Sequence, residues 1–177
     1  YQADRVVIAA AWGAGELTGK LGIHIPSVAE PLHMNITEAC ETRINHLVQH
    51  AERSITLKQF ATGQIVIGGG WAAQDRGRYQ VPAVDHTSLL GNVALAAKLV
   101  PSISGIRVIR TWAGMNTTVD GKSIIGPLPG HERVIMAIPG DAGYTLGPLV
   151  ARLAVSCVIG NELDNEAASL SPARFAA

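Results

Sequence analysis

The chain has 177 residues, 47% hydrophobic and 16% charged, which is enough apolar material for one large or two small cored domains. Its 14 basic residues balance 14 acidic ones, so the zero formal charge carries no electrostatic footprint for nucleic acid or an anionic membrane. No apolar run is long enough to span a bilayer, and Cys40 and Cys157 show neither disulfide nor metal spacing, which points to a reducing cytoplasmic setting.

Residues Tyr1 to Arg5 lead straight into an apolar run, Val6 to Ala10, with no signal-peptide pattern and no initiating methionine. This reads as a piece of a longer chain or a processed product. The run predicts a strand buried on both faces. Trp12 to Gly15 follows as a turn, and Glu16 to Leu21 as a short helix. Gly13, Gly15 and Gly19 resemble a dinucleotide fingerprint, but Pro26 and Pro31 interrupt the next strand, where that motif requires a βαβ unit. A simple strand-to-helix turn is the stronger reading. Val28 to Glu38 and Ile44 to Val48 have the two-residue apolar spacing of half-buried strands. Ser54 to Gly68 predicts a hairpin turning at Ala61 to Gly63. Gly68-Gly69-Gly70 before Trp71 forces a bend or a close approach, with a flexible loop as the plain alternative.

Thr87 can cap a helix running to about Val100, with Leu90, Val93, Ala94 and Ala97 at helical spacing and Pro101 as its stop. Ile106 to Trp112 and Val134 to Ile138 read as strands. A last helix starts near Leu146, with Leu149, Val150, Leu153, Ala154, Cys157 and Val158 on its apolar face. Pro148 then falls harmlessly in the first turn and Gly160 ends the helix, leaving Cys157 a core residue. The tail from Ser169 to Ala177 reads as extended and surface-bound. The expected fold class is α+β: an antiparallel sheet with one helix in the middle of the chain, and two ends that share a different domain.

The stretch Arg110 to Pro148 draws the functional argument together. It carries glycine turns around Gly114, Gly126 and Gly140–Gly147, the last opening a helix. Glycine lets a ligand approach the main chain, and a helix start offers free N–H groups with partial positive charge. Thr117, Thr118 and Asp120 are pocket anchors or turn formers, and turn formers are favoured. His46 and His50 stand four apart, but the metalloprotease pattern needs Glu where Leu47 stands. On a strand the two would lie about 13 Å apart, so no metal site is expected. No G-x-S-x-G nucleophile elbow occurs.

Four segments in order carry a family resemblance: Ile109–Gly114, Asp120–Pro127, Gly140–Pro148 and Leu170–Phe175. Together they resemble the C-terminal half of the FAD-dependent amine and amino-acid oxidoreductases, the family of glycine oxidase, sarcosine oxidase and D-amino-acid dehydrogenases. Gly140-Asp-Ala-Gly-Tyr-Thr-Leu-Gly-Pro148 is most similar to the opine oxidase B subunit and D-hydroxyproline dehydrogenase branch.

The resemblance implies that residues 1–25 and 111–177 are parts of an FAD-binding α/β domain and that 26–110 form an antiparallel substrate-binding domain. It implies FAD as cofactor, held here by Trp112, Gly114, Gly140, Asp141, Gly143, Tyr144, Thr145, Leu146 and Gly147, with Asn116 and Trp71 toward the substrate. The implied chemistry is oxidation of a C–N bond in a D-amino acid, opine or related secondary amine by hydride transfer to the flavin, with no protein acid or base assigned.

Two departures matter. The glycine-rich loop that holds the FAD diphosphate is absent, so this chain alone is not expected to hold FAD tightly, and an upstream segment is an implied partner. Relatives acting on simple amino acids carry Arg where Asn116 stands. An amide cannot replace the charged bidentate fork on a carboxylate, which favours a larger substrate, and Asn116→Arg is expected to favour small amino-acid carboxylates. A smaller departure is Ala11-Trp12-Gly13 in place of Gly-Ala-Trp after the first strand. The competing reading is a non-catalytic domain that assembles with partner subunits and does not hold FAD. The expected location is the cytoplasm, or the periphery of the inner membrane.

Overall fold

The protein was analysed as a computed structural model that describes residues 2–77, 79–164 and 167–175. In chain order these form β1 (Val6–Ile8), α1 (Ala14–Gly19), β2 (Val28–Thr37), β3 (Val48–Gln49), β4 (Thr56–Gln59), β5 (Ile65–Gly68), α2 (His86–Leu99), β6 (Val108–Thr118), β7 (Ile124–Leu128), β8 (His131–Ile138) and α3 (Gly143–Val158). The chain divides into two compact units, one of residues 1–29 and 116–177, the other of residues 30–115.

The first unit is built on a three-stranded sheet ordered β1-β8-β7. β1 runs parallel to β8, pairing Val6 with Val134 and Ile8 with Met136, while β7 and β8 are antiparallel. The apolar runs of β7 and β8 bury both faces. Ile124, Met136 and Ile138 pack with Ile8, Ala14 and Ile25 on one side. Ile125, Ile135 and Ala137 pack with Val150, Ala154 and Cys157 of α3 on the other. β1 departs from the strand covered on both faces that its composition suggests. Val6 is 51% and Val7 45% exposed, because β1 is the edge of this sheet and pairs only with β8.

Gly15 is required by packing, since a Cβ there would lie 2.6 Å from the Ile25 carbonyl oxygen. α3 begins three residues before the expected Leu146, so Pro148 lies inside the helix and removes one ladder hydrogen bond. Gly160, at φ +94, ends it, and the Arg5 guanidinium donates to the Cys157 carbonyl at 2.7 Å and also to that of Val158. Burial pushes the Cys157 thiol up from its ordinary pKa, in keeping with a core residue. The tail is not extended: Ala168–Leu170 and Pro172–Phe175 are 3-10 turns, and Pro172 is buried. Its last expected residues, Ala176 and Ala177, lie outside the described residues, as does Tyr1 at the start.

The second unit carries a five-stranded sheet ordered β3-β4-β5-β2-β6. β4 and β5 form the expected hairpin, pairing Leu57 with Ile67 across a turn where Gly63 has φ +91. The Ile44–Val48 strand shrinks to Val48–Gln49, because the Ile44 N–H is taken by the Gln59 side-chain oxygen at 2.8 Å rather than by a neighbouring strand. Gly69 is a close approach: its φ is +100, and a Cβ would lie 2.5 Å from the Ile55 carbonyl carbon. α2 is capped by Asp85 rather than Thr87, the carboxylate accepting from the Ser88 N–H at 2.8 Å. Its buried face is Asn92, Leu95 and Ala96, while Leu90 is 67% exposed, so the face is offset from the one its apolar residues suggest. Leu95 and Ala96 join Ile55, Leu57, Ile65, Ile67 and Ile103 in the core.

Candidate active site

β6 is longer than the expected Ile106–Trp112 strand and runs through Trp112 and Gly114 to Thr118. Gly114 is therefore not a turn residue. Strand alternation puts Arg110, Trp112 and Gly114 on one face and Thr111 on the other. Thr111 donates to the Asn35 side-chain oxygen at 2.7 Å, and Asn35 in turn donates to Asn92 at 3.0 Å. The Asn92 amide completes the chain by donating to the Gly68 carbonyl at 3.1 Å. This polar line pins β6 to α2 through one face and leaves the Trp112–Gly114 face outward. Trp112 is 38% exposed, with the Arg110 guanidinium 5.8 Å from its ring centroid. A Cβ at Gly114 would meet nothing within 4 Å, so the main chain there is open to a ligand.

Trp71 is placed differently. Its indole N–H donates to the Ser54 carbonyl at 2.6 Å, and its ring packs so closely on α2 that a Cβ at Gly91 would lie 2.6 Å from it. It joins the core cluster of the unit of residues 30–115.

In the other unit, Gly140–Ala142 forms a 3-10 turn that enters α3 at Gly143. Gly140 has φ +69, a left-handed conformation that glycine adopts without strain. No side chain caps α3, so its first N–H groups are left to solvent or ligand. Tyr144 is 98% exposed and Thr145 is exposed beside it, whereas Leu146 and Gly147 are half-buried. Asn116, at the end of β6, donates from its side-chain amide to the Asp141 carboxylate. This contact joins residues 25 apart in the sequence, and no spacing pattern announces it.

The turn between β6 and β7 is fixed from the tail. Arg174 donates to both oxygens of Asp120, at 2.8 and 2.9 Å, and to the carbonyls of Leu170 and Ser123. The Arg174 guanidinium holds the Asp120 carboxyl below its usual range. Asp120 is thus a structural partner rather than a pocket anchor. Thr117 is buried in β6. His50 accepts from the Glu52 and Arg53 N–H groups as a turn former. Among the described residues, no group of three His, Cys, Asp or Glu side chains is placed to hold a metal ion. Among the same residues, no helix is long and apolar enough to cross a membrane.

Within one unit an open helix start after a left-handed glycine suits a polar ligand edge, and within the other an open strand glycine lets a ligand approach the main chain. Residues 1–156 match the family described as FAD dependent oxidoreductase. The chain belongs to this family. It is 29% identical over 131 residues to a glycine oxidase of Pseudomonas putida, covering 73% of this chain and 34% of that protein. It is 25% identical over 129 residues to the sarcosine oxidase subunit beta of Rhizobium meliloti, covering 71% of this chain and 30% of that one. Among solved structures, glycine oxidase from Geobacillus kaustophilus superposes with a TM-score of 0.84 at 21% identity, over 97% of this chain and 45% of that one. L-proline dehydrogenase from P. horikoshii does so with a TM-score of 0.86 at 21% identity, over 97% and 47%. At such identities the structural likeness speaks for the fold, a mixed helix and sheet architecture that contains an antiparallel sheet. The chain spans about a third of the length of these curated relatives.

Proposed function

We propose that this chain is the C-terminal portion of an FAD-dependent dehydrogenase or oxidase acting on the C–N bond of a D-amino acid, an opine or a related secondary amine. The observation that carries the substrate reading is the Asn116–Asp141 contact. An amide engaged with a carboxylate stands where the relatives that act on simple amino acids are expected to present a guanidinium. That exchange removes the fork that would fix a small substrate's carboxylate.

In this reading the unit of residues 1–29 and 116–177 belongs to the FAD-binding domain, and the unit of 30–115 to the substrate-binding domain. Gly140, Asp141, Gly143, Tyr144, Thr145, Leu146 and Gly147 contribute the open helix start to FAD, and Trp112 and Gly114 contribute the outward face of β6. Asn116 faces the substrate, and Trp71 supports the sheet through α2. FAD supplies the acceptor for the hydride of the C–N bond. The chain's own residues supply N–H donors, an aromatic surface and a dry sheet. The loop that holds the FAD diphosphate belongs to a segment outside this chain. The β1 edge, with Val6 and Val7 half exposed, is where that segment's sheet continues. The relative named as a subunit beta makes partner subunits part of the proposal.

The test is anaerobic bleaching of the flavin in the full-length protein by a panel of D-amino acids, opines and N-alkyl amino acids. Reduction by opines or secondary amines is expected, with glycine a poor substrate. A flavin that none of these compounds bleaches would sink the reading. Gly114→Ala sharpens it: the added methyl meets nothing in the fold, so stability should hold while FAD or substrate affinity falls about tenfold through lost close approach.

A further inference from the structure

Within the unit of residues 30–115, the C-terminal half of α2 and the turn before β4 enclose a crevice. It consists of two cavities side by side. One, of about 290 Å³, is walled by Trp71, Gly91 and Ala94. The other, of about 200 Å³, is reached by His50, Glu52 and Leu99. Arg53, Leu95 and Lys98 line both, which makes the two continuous. The apolar end has a built wall. Gly91 stands inside α2, where glycine is a poor helix former, and a Cβ there would lie 2.6 Å from the Trp71 ring. The missing side chain seats the indole, whose N–H is held on the Ser54 carbonyl at 2.6 Å. The other end presents donors. His50 Nδ1 accepts from the Glu52 and Arg53 N–H groups at 3.0 and 3.1 Å. In the neutral ring the proton therefore sits on Nε2, a donor without a partner among the described residues. The Arg53 guanidinium and the Lys98 ammonium take no ion pair among the same residues. Glu52 is the one carboxylate on the lining, so the crevice keeps one surplus positive charge.

We propose that this crevice binds a small organic monoanion, a carboxylate carried on an apolar body. Arg53, Lys98 and the His50 Nε2–H take the carboxylate, and the wall of Trp71, Ala94 and Leu95 takes the body. A few convergent polar groups beside an apolar wall are the usual make-up of a small-molecule site. The guanidinium fork suits a carboxylate edge, and the ammonium adds a second charge-assisted donor. One surplus charge matches a carboxylate better than a phosphate dianion, which Glu52 would repel. The site goes beyond the oxidation reading. It lies along α2, and α2 is pinned to the sheet through the Thr111 face of β6, opposite Trp112 and Gly114.

The deciding experiment is calorimetric titration of the full-length protein with 3-phenylpropanoate and with 3-phenylpropanamide, its neutral isostere. Wild type should bind the acid about tenfold more tightly than the amide, the scale of two partly exposed charge-assisted contacts. Arg53→Gln and Lys98→Gln should each weaken the acid about fivefold and leave the amide as it was. Lys98→Arg should keep the wild-type ratio, since it restores the charge. Ala94→Trp fills the apolar end from an exposed helix position, so the melting temperature should hold while both compounds lose about tenfold. Equal affinities for acid and amide in wild type overturn the proposal. So does acid binding that Arg53→Gln, Lys98→Gln and Ala94→Trp all leave unchanged, because the acid would then sit elsewhere on the protein.

Discussion

The two units solve the same packing problem differently. In residues 30–115 the helix-facing side of the sheet mixes aliphatic residues with buried polar ones: His33, Asn35 and Thr37 of β2 are all but inaccessible. Asn35 is satisfied by Asn92 and Thr111, and Thr37 accepts from the Ile65 N–H at 3.0 Å. Such a network fixes one register of sheet against helix, at the risk of a large penalty if any member is lost. In the other unit, β7 and β8 are packed by aliphatic residues on both faces. At its margins the β1 edge is half exposed, as are Val155 at 58% in α3 and Ile159 at 71% just past the helix end. The two cores are thus sealed differently, by paired buried polar groups in one unit and by aliphatic packing in the other.

Removing a core side chain from the unit of residues 30–115 should have the largest effect. Leu57 is fully buried, so Leu57→Ala should cost about 3 kcal/mol through lost burial and a residual cavity. Amide exchange should place the loss in β4, β5 and α2. Asn35→Ala should cost about 2 kcal/mol, because it strands both Asn92 and Thr111. A loss below about 0.5 kcal/mol would mean that the polar line does not hold the sheet to α2. Asp120→Asn should cost about 1 kcal/mol or less near neutrality, since the pair with Arg174 is partly exposed. The Asp120 carboxyl titrates below its ordinary 3.8 in the folded state. Its stabilisation is therefore present above that value and lost as pH falls through the folded pKa. The gap between wild type and Asp120→Asn should close on acidification in a denaturant series. At the small end, Val7→Thr on the open edge should change the stability of this chain by less than about 0.5 kcal/mol. A larger loss would show that β1 is already covered.

Much of the fold was legible because its signals are local. The alternation of Ile55 and Leu57 with the turn at Gly63 marks the β4–β5 hairpin, and Gly160 marks the end of α3. The failures have physical causes too. The buried face of α2 was misplaced because Asn92 is polar, and only its contacts with Asn35 and Gly68 make it a core residue. Gly114 suggested a turn, yet its missing side chain opens a strand face rather than bending the chain. The tail looked extended because the Arg174–Asp120 pair that folds it spans 54 residues. The Gly140 turn was readable as a helix-start site, but the link from Asn116 to Asp141 required the fold.

The most direct test of the FAD reading is the absorbance spectrum of this 177-residue chain after incubation with FAD and removal of the excess. The account predicts a folded chain without stoichiometric flavin and a yellow full-length protein. A stoichiometric flavin spectrum on the chain alone would contradict it, showing that the β6 face and the Gly140 turn hold the cofactor without the rest of the sheet.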